Sequence, residues 1–195
     1  MKTEIEVKFL HISADHIRGQ LKRIGAVCEY PMREMRRAVF NTPEMGRRKG
    51  YLRLRDEGDK VTLTYKQFDD QAVDGAKEIE VVVSSFDDTL SILNAAGYHP
   101  TSYQESRRET WQYHGVEVVI DEWPWIDPYI EVEGESEAAI RKVAEDLGLD
   151  WDADAVFGSA TVAYQQQFPG AGLEDIGVFD RICFNDPKPQ VFKTK

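Results

Sequence analysis

Period-2 alternation of charge and hydrocarbon in the first nine residues is the strongest constraint on how this chain folds. Glu4, Glu6 and Lys8 interleave with Ile5, Val7 and Phe9. A β-strand of that pattern sets every charge on one face and every apolar side chain on the other. Carboxylates at i and i+2 stand ~7 Å apart, so their repulsion is about 0.6 kcal/mol in water and ~2.4 kcal/mol at an effective dielectric near 20. A solvated face absorbs that cost. An enclosed one requires cations.

The alternation returns in Glu78-Ile79-Glu80-Val81 and in Ile130-Glu131-Val132-Glu133. Each of these strands is followed by a serine suited to cap a helix, an amphipathic stretch, and a glycine suited to end it. The serines are Ser13, Ser85 and Ser136; the glycines are Gly25, Gly97 and Gly148. This is a weak internal repeat of strand plus covering helix, and Glu6, Glu80 and Glu131 occupy its equivalent position. Between the repeats, Tyr51-Leu52-Arg53-Leu54-Arg55 and Val61 to Lys66 alternate too, with Gly58 at the hairpin between them. Residues 98–113 read as a strand carrying Arg108, Thr110 and Gln112 on one face, and 116–121 as one carrying Glu117, Val119 and Asp121. Residues 27–40 are extended, 46–50 form a basic loop, and 67–76 form a polar loop.

At 195 residues with 42% hydrophobic and 30% charged content, the chain suits one globular domain, 1–195, with an irregular extension over 168–195 that holds one short strand around 178–184. A net charge of −11 argues against a general nucleic-acid binder. No apolar run approaches ~18 residues, so no membrane span is expected, and the first residues lack a secretory segment. Cys28 and Cys183 read as free thiols in a reducing cytoplasm. The histidines show no zinc-ligand spacing.

Strands with one apolar and one charged face admit two α+β architectures. An open antiparallel sheet would leave the charges in water. A closed antiparallel β-barrel, with helices packed on the outside, would gather them in its lumen and remove the sheet edges.

The ordered motifs E-I-E-V-K, L-R-L-R, a strand ending in Lys66, K-E-I-E, R-R-E-T, V-I-D-E and I-E-V-E resemble the CYTH superfamily, the triphosphate tunnel metalloenzymes. They cover residues 3 to about 165. The resemblance implies the closed tunnel, with Mg²⁺ or Mn²⁺ held by acidic residues and a small-molecule triphosphate or nucleotide held by basic ones. Carried over by position, Glu4, Glu6, Glu131 and Glu133 are the expected metal ligands, hard oxygen donors suited to these ions. Asp121 is expected as a further metal or water-orienting carboxylate, and Lys8 as part of the cation ring or a positioner of attacking water. Arg53, Arg55, Lys66 and Arg108 are expected on the phosphates. Glu78 and Glu80 are expected either to bind a second metal or to hold the arginines in place.

Two departures stand out. Relatives commonly carry Lys-x-Arg where this chain has Ser106-Arg107-Arg108, so a serine replaces a tunnel cation and Arg107 should point outward. The Trp123-Pro124-Trp125-Ile126-Asp127-Pro128 turn replaces a glycine-rich one. The implied activity is hydrolysis of tripolyphosphate, thiamine triphosphate or a nucleoside triphosphate. The alternatives are a class IV adenylate cyclase and a non-catalytic polyphosphate-binding module. A homodimer is compatible with the pattern, though no residue specifies one.

Overall fold

The N-terminal alternation forms two strands, β1 (Lys2–Glu4) and β2 (Glu6–Phe9), broken at Ile5, and that break determines how the sheet closes. The computed structural model describes residues 2–68 and 76–193, with the side chains of residues 2–4, 68 and 76 left out. Further along lie β3 (Val27–Phe40), β4 (Gly50–Asp56), β5 (Val61–Phe68), β6 (Ala76–Val83), β7 (Ser102–Tyr113), β8 (Val116–Glu122), β9 (Tyr129–Glu133), β10 (Ala155–Val156) and β11 (Arg181–Ile182). They form one sheet in the order β1-β6-β5-β4-β3-β7-β8-β9-β2-β10, with β11 beside β7. Every pairing is antiparallel except β11 with β7.

Strand β1 bonds β6 at one end of this order and β2 bonds β9 at the other. The two edges of the sheet therefore meet in one short segment of chain. The antiparallel α+β sheet with helices packed on its outside is as expected, and among the described residues its ladder is not closed by hydrogen bonds. The β1–β6 pairing runs from Lys2 opposite Glu78 to Glu4 opposite Ala76, the first described residue of β6, and among the described residues β2 pairs with no residue of β6. The far side of β2 is taken by β10 at Lys8 and Phe9. Across the interior, Lys66 Nζ of β5 lies 3.8 Å from a Glu6 carboxylate oxygen of β2.

The outward faces are apolar, and helices cover them except on β6, where Ile79 and Val81 are exposed. Val7, Phe9, Val118, Ile120, Ile130 and Val132 bury under helices α1 (Ala14–Ile24) and α4 (Glu137–Asp146), which contribute Ile17, Leu21, Ile140 and Val143. Ala38, Phe40 and Leu54 pack with Phe86, Leu90 and Leu93 of α3 (Phe86–Ala95). Each fully buried aliphatic or aromatic side chain is worth about 1.5–3 kcal/mol, so these two layers fix which sheet face looks inward. Ser13, Ser85 and Ser136 cap the three helices, accepting from the backbone N–H of His16, Asp88 and Ala139. Gly25 ends α1 at φ +83°, a conformation that L side chains rarely adopt.

Elsewhere the expectations need adjustment. The basic loop is half helix: α2 (Pro43–Arg47) is capped by Thr42 with proline in its first turn. Strand β7 starts at Ser102, after Pro100, rather than at 98. Of the expected polar loop, residues 67, 68 and 76 belong to strands, and 69–75 lie outside the described residues. The chain after the sheet holds α5 (Trp151–Asp154), α6 (Ala160–Gln167), three 3₁₀ turns and β11. This segment builds its own core, in which Tyr164, Ile176, Ile182 and Phe192 pack on Leu10, Trp123 and Tyr129 of the sheet. Among the described residues no helix is long and apolar enough to cross a membrane.

Candidate functional site

The inward face of the sheet encloses a cavity of about 920 Å³. Its lining includes Glu6, Lys8, Arg53, Arg55, Lys66, Glu78, Glu80, Arg108, Asp121, Glu131 and Glu133, all expected from strand parity. Glu4 lies on β1, but its side chain is outside the described residues.

Register brings the carboxylates together. Glu6 pairs with Glu133 across β2–β9, and Glu133 pairs with Glu117 across β9–β8. Strands run about 4.8 Å apart, so each neighbouring carboxylate pair repels by about 3 kcal/mol at an effective dielectric near 20. One register step along, Lys8 stands opposite Glu131. Its ammonium sits between two carboxylates, 3.2 Å from Glu6 and 3.1 Å from Glu131. Burial opposes charge on Lys8, yet Glu131 and Glu6 outweigh it and hold the ammonium above its ordinary range. For Glu131, burial is outweighed by Lys8 and Arg108, and the carboxylate stays well below its ordinary range. For Glu117 burial outweighs the pull of Arg108, and the carboxyl is pushed up.

The opposite wall is cationic. Arg53 and Arg55 rise from β4 beside Thr64 and Thr62 of β5. Glu57 buttresses Arg55 at 2.7 Å and lies 3.7 Å from Arg33 and 3.9 Å from Lys60. Although burial works against it, Arg55 and Lys60 keep the Glu57 carboxyl depressed. Arg53 reaches Thr64 Oγ1 at 3.5 Å and Glu80 at 3.9 Å, and Thr64 Oγ1 donates to Glu80 at 2.8 Å. Of the two expectations for Glu80, this geometry matches holding an arginine.

Arg108 grips both oxygens of Asp121, through Nε at 2.7 Å and Nη2 at 2.5 Å, and also reaches Glu131 at 2.7 Å. Burial disfavours the Arg108 charge, but Asp121 and Glu131 raise it well above its ordinary range. Asp121, 1% exposed, is committed to that guanidinium. Tyr129 is fully buried, and burial followed by the Asp121 and Glu131 charges keeps its phenol protonated.

Among the charged lining residues, Arg33, Arg37 and Glu57 were not anticipated, and Glu117 was placed on the face of Asp121 without a role. Glu57 and Glu117 carried a signal, because Arg53, Arg55 and Glu57 share parity, as do Glu117 and Asp121. Ser106 is buried on β7 between the cavity-lining Gln104 and Arg108, and accepts a hydrogen bond from Arg37 of β3. Arg107 points outward to Glu34, as expected.

Donor chemistry here fits a hard divalent cation: oxygen-only ligands, with Glu6 and Glu133 neighbours in register and Glu131 alongside. Among the described residues, however, no three acidic or imidazole groups converge on a single point. Lys8 occupies the space between Glu6 and Glu131 and supplies the balancing charge.

Solved structures share this arrangement of elements. The PH1012 protein from Pyrococcus horikoshii OT3 superposes with a TM-score of 0.66 at 22% identity, over 78% of this chain and 93% of that one. A candidate adenylate cyclase from Vibrio parahaemolyticus gives 0.71 at 15% identity, over 84% and 98%. The candidate adenylyl cyclase HpAC1 from Hippeastrum, described as having a dominant triphosphatase activity, gives 0.58 at 13% identity, over 85% and 94%. No curated protein matches the chain. The CYTH domain family matches residues 2–153, every strand of the cavity wall included, and the chain belongs to that family.

Proposed function

We propose that the protein is a divalent-metal-dependent enzyme that hydrolyses a phosphoanhydride of a triphosphate held in this cavity. The observation that carries the reading is the meeting of Arg53, Arg55, Lys66 and Arg108 with Glu6, Glu131 and Glu133 inside one enclosed space. Family membership supports an activity on triphosphates. Tripolyphosphate, thiamine triphosphate and nucleoside triphosphates are the substrates to test.

Cleaving such a substrate demands charge neutralisation and in-line positioning more than covalent chemistry. Arg53 and Arg55 offer paired N–H donors to phosphate oxygens, and Glu57 and Glu80 hold them in place. Asp121 plays the same part for Arg108. Lys8 is held protonated, so it serves as a cation facing substrate or attacking water and not as a base. Mg²⁺ or Mn²⁺, held by Glu6, Glu131 and Glu133 with Glu4 from the same segment, would neutralise phosphate charge. Glu6 and Glu131, which Lys8 pairs here, would be the residues to hold such an ion.

The candidate cyclases among the structural neighbours keep cyclisation of ATP as the second reading. Incubating the protein with ATP, tripolyphosphate and thiamine triphosphate under Mg²⁺ or Mn²⁺ separates the two. Orthophosphate without cyclic nucleotide is the expected result. Cyclic AMP with pyrophosphate would replace the hydrolase reading, and no product from any substrate would leave a binding module. Glu6→Ala should abolish turnover, and Arg55→Ala should chiefly raise KM.

A further inference from the structure

Arg37 combines near-complete burial with a charge that the protein leaves unbalanced. It is 7% exposed, it lines the cavity, and among the described residues no carboxylate lies within ion-pair distance of it. Its Nη2 donates to Ser106 Oγ, and its guanidinium lies over the Trp123 ring, 4.3 Å from the centroid. Neither neighbour carries a negative charge. In register it stands directly opposite Arg55, and the repulsion of Arg55, Arg53 and Arg108 outweighs the attraction of Asp121, which is not within ion-pair distance. Burial, and after it Arg55, Arg53 and Arg108, push its pKa down to about 9, which still leaves it charged at neutral pH. A buried cation without a partner is destabilising, and a fold that needed only packing here would be better served by an apolar side chain.

A second observation points the same way. Among the described residues, Arg33 Nε, Arg37 Nε, Arg53 Nε, Trp123 Nε1 and Tyr129 Oη are buried hydrogen-bond donors without a partner, and all five residues line this cavity. Buried donors are nearly always satisfied in native structures. Unsatisfied donors gathered around surplus positive charge describe a site for a multivalent oxyanion.

We propose that Arg37 contacts substrate directly, forming with Arg53, Trp123 and Tyr129 a phosphoryl-binding subsite on the Trp123 side of the cavity, with Ser106 as the residue that positions its guanidinium. The assignment rests on the triphosphate reading above. It also accounts for the serine at a position where relatives carry lysine. The cation reaches the cavity from β3 instead of β7, and a small hydroxyl at 106 makes room for it and orients it.

Titration calorimetry with inorganic tripolyphosphate, without divalent metal so that nothing turns over, tests this on the wild type, Arg37→Met, Arg37→Lys and Arg37→Met with Ser106→Lys. Removing a charge-assisted hydrogen bond from a buried site weakens affinity by about 10- to 100-fold, the result expected for Arg37→Met. Arg37→Lys should fall between, because it keeps the charge and loses the fork. Ser106→Lys in the Met background should recover part of the affinity by returning a cation to the same space. Thermal melting supplies the control for folding. Removing an unbalanced charge should leave Arg37→Met melting at or above the wild type, whereas a purely structural arginine would lower it. Tripolyphosphate bound equally by wild type and Arg37→Met overturns this assignment alone. A wild type that binds no tripolyphosphate overturns the triphosphate reading and this assignment with it.

Discussion

Replacing Lys8 with methionine removes the ammonium that keeps Glu6 and Glu131 together. At 3.2 and 3.1 Å, each pair is worth about 5 kcal/mol gross at an effective dielectric near 20. Desolvation of the 1%-exposed lysine offsets much of that. Removing one partner from a buried ion pair costs about 3–5 kcal/mol. Lys66 still lies 3.8 Å from Glu6, and Arg108 still lies 2.7 Å from Glu131, so the lower end applies. A loss of about 3 kcal/mol in a chain of this size lowers Tm by about 6–12 °C.

The pH dependence follows from the two shifts. Glu131, depressed in the folded state, stabilises above its ordinary 4.5, and that contribution is lost as pH falls through the lower folded value. Lys8, raised in the folded state, stabilises below its ordinary 10.5, and that contribution is lost as pH rises through the higher folded value. Calorimetric melts should therefore show a gap between wild type and Lys8→Met that is level from about pH 5 to 10. Mn²⁺ should also raise the Tm of Lys8→Met by more than it raises that of the wild type, because the carboxylates no longer compete for the lysine. A variant melting within 2 °C of the wild type at neutral pH would refute this account of the carboxylate wall.

Glu57→Gln should lower stability at neutral pH by about 1–3 kcal/mol in urea unfolding, and the gap should close as pH drops below the ordinary carboxylate value of 4.5, since its folded value is depressed. Phe192→Ala, which strips a 2%-exposed ring from its packing against Trp125, Tyr164, Phe168 and Phe179, should cost about 3–5 kcal/mol by the same measurement. Ser136→Ala should cost about 1 kcal/mol through loss of the α4 cap.

Strand parity carried most of the site because a period of two leaves no freedom about which face a residue takes. Once Ile130 and Val132 are buried under α4, Glu131 and Glu133 must face inward. Parity failed on β3, where register shifts between Cys28 and Arg33 break the alternation and Arg36-Arg37 puts one arginine on each side. Arg36 pairs with Asp56 outside the cavity while Arg37 turns in. Closure was legible only as a preference, since alternation says nothing about which strand pairs with which. The short helix at 43–47 had its signal in Thr42-Pro43, which the glycine at 46 obscured.

A crystal structure of the protein with tripolyphosphate and Mn²⁺ tests the central claim most directly. The predicted result is manganese anomalous density at Glu6, Glu131 and Glu133, with phosphate oxygens on Arg53 and Arg55 inside the cavity. Phosphate bound only at outer basic positions such as Arg47 and Arg48, with no polyanion between the two walls, would contradict it.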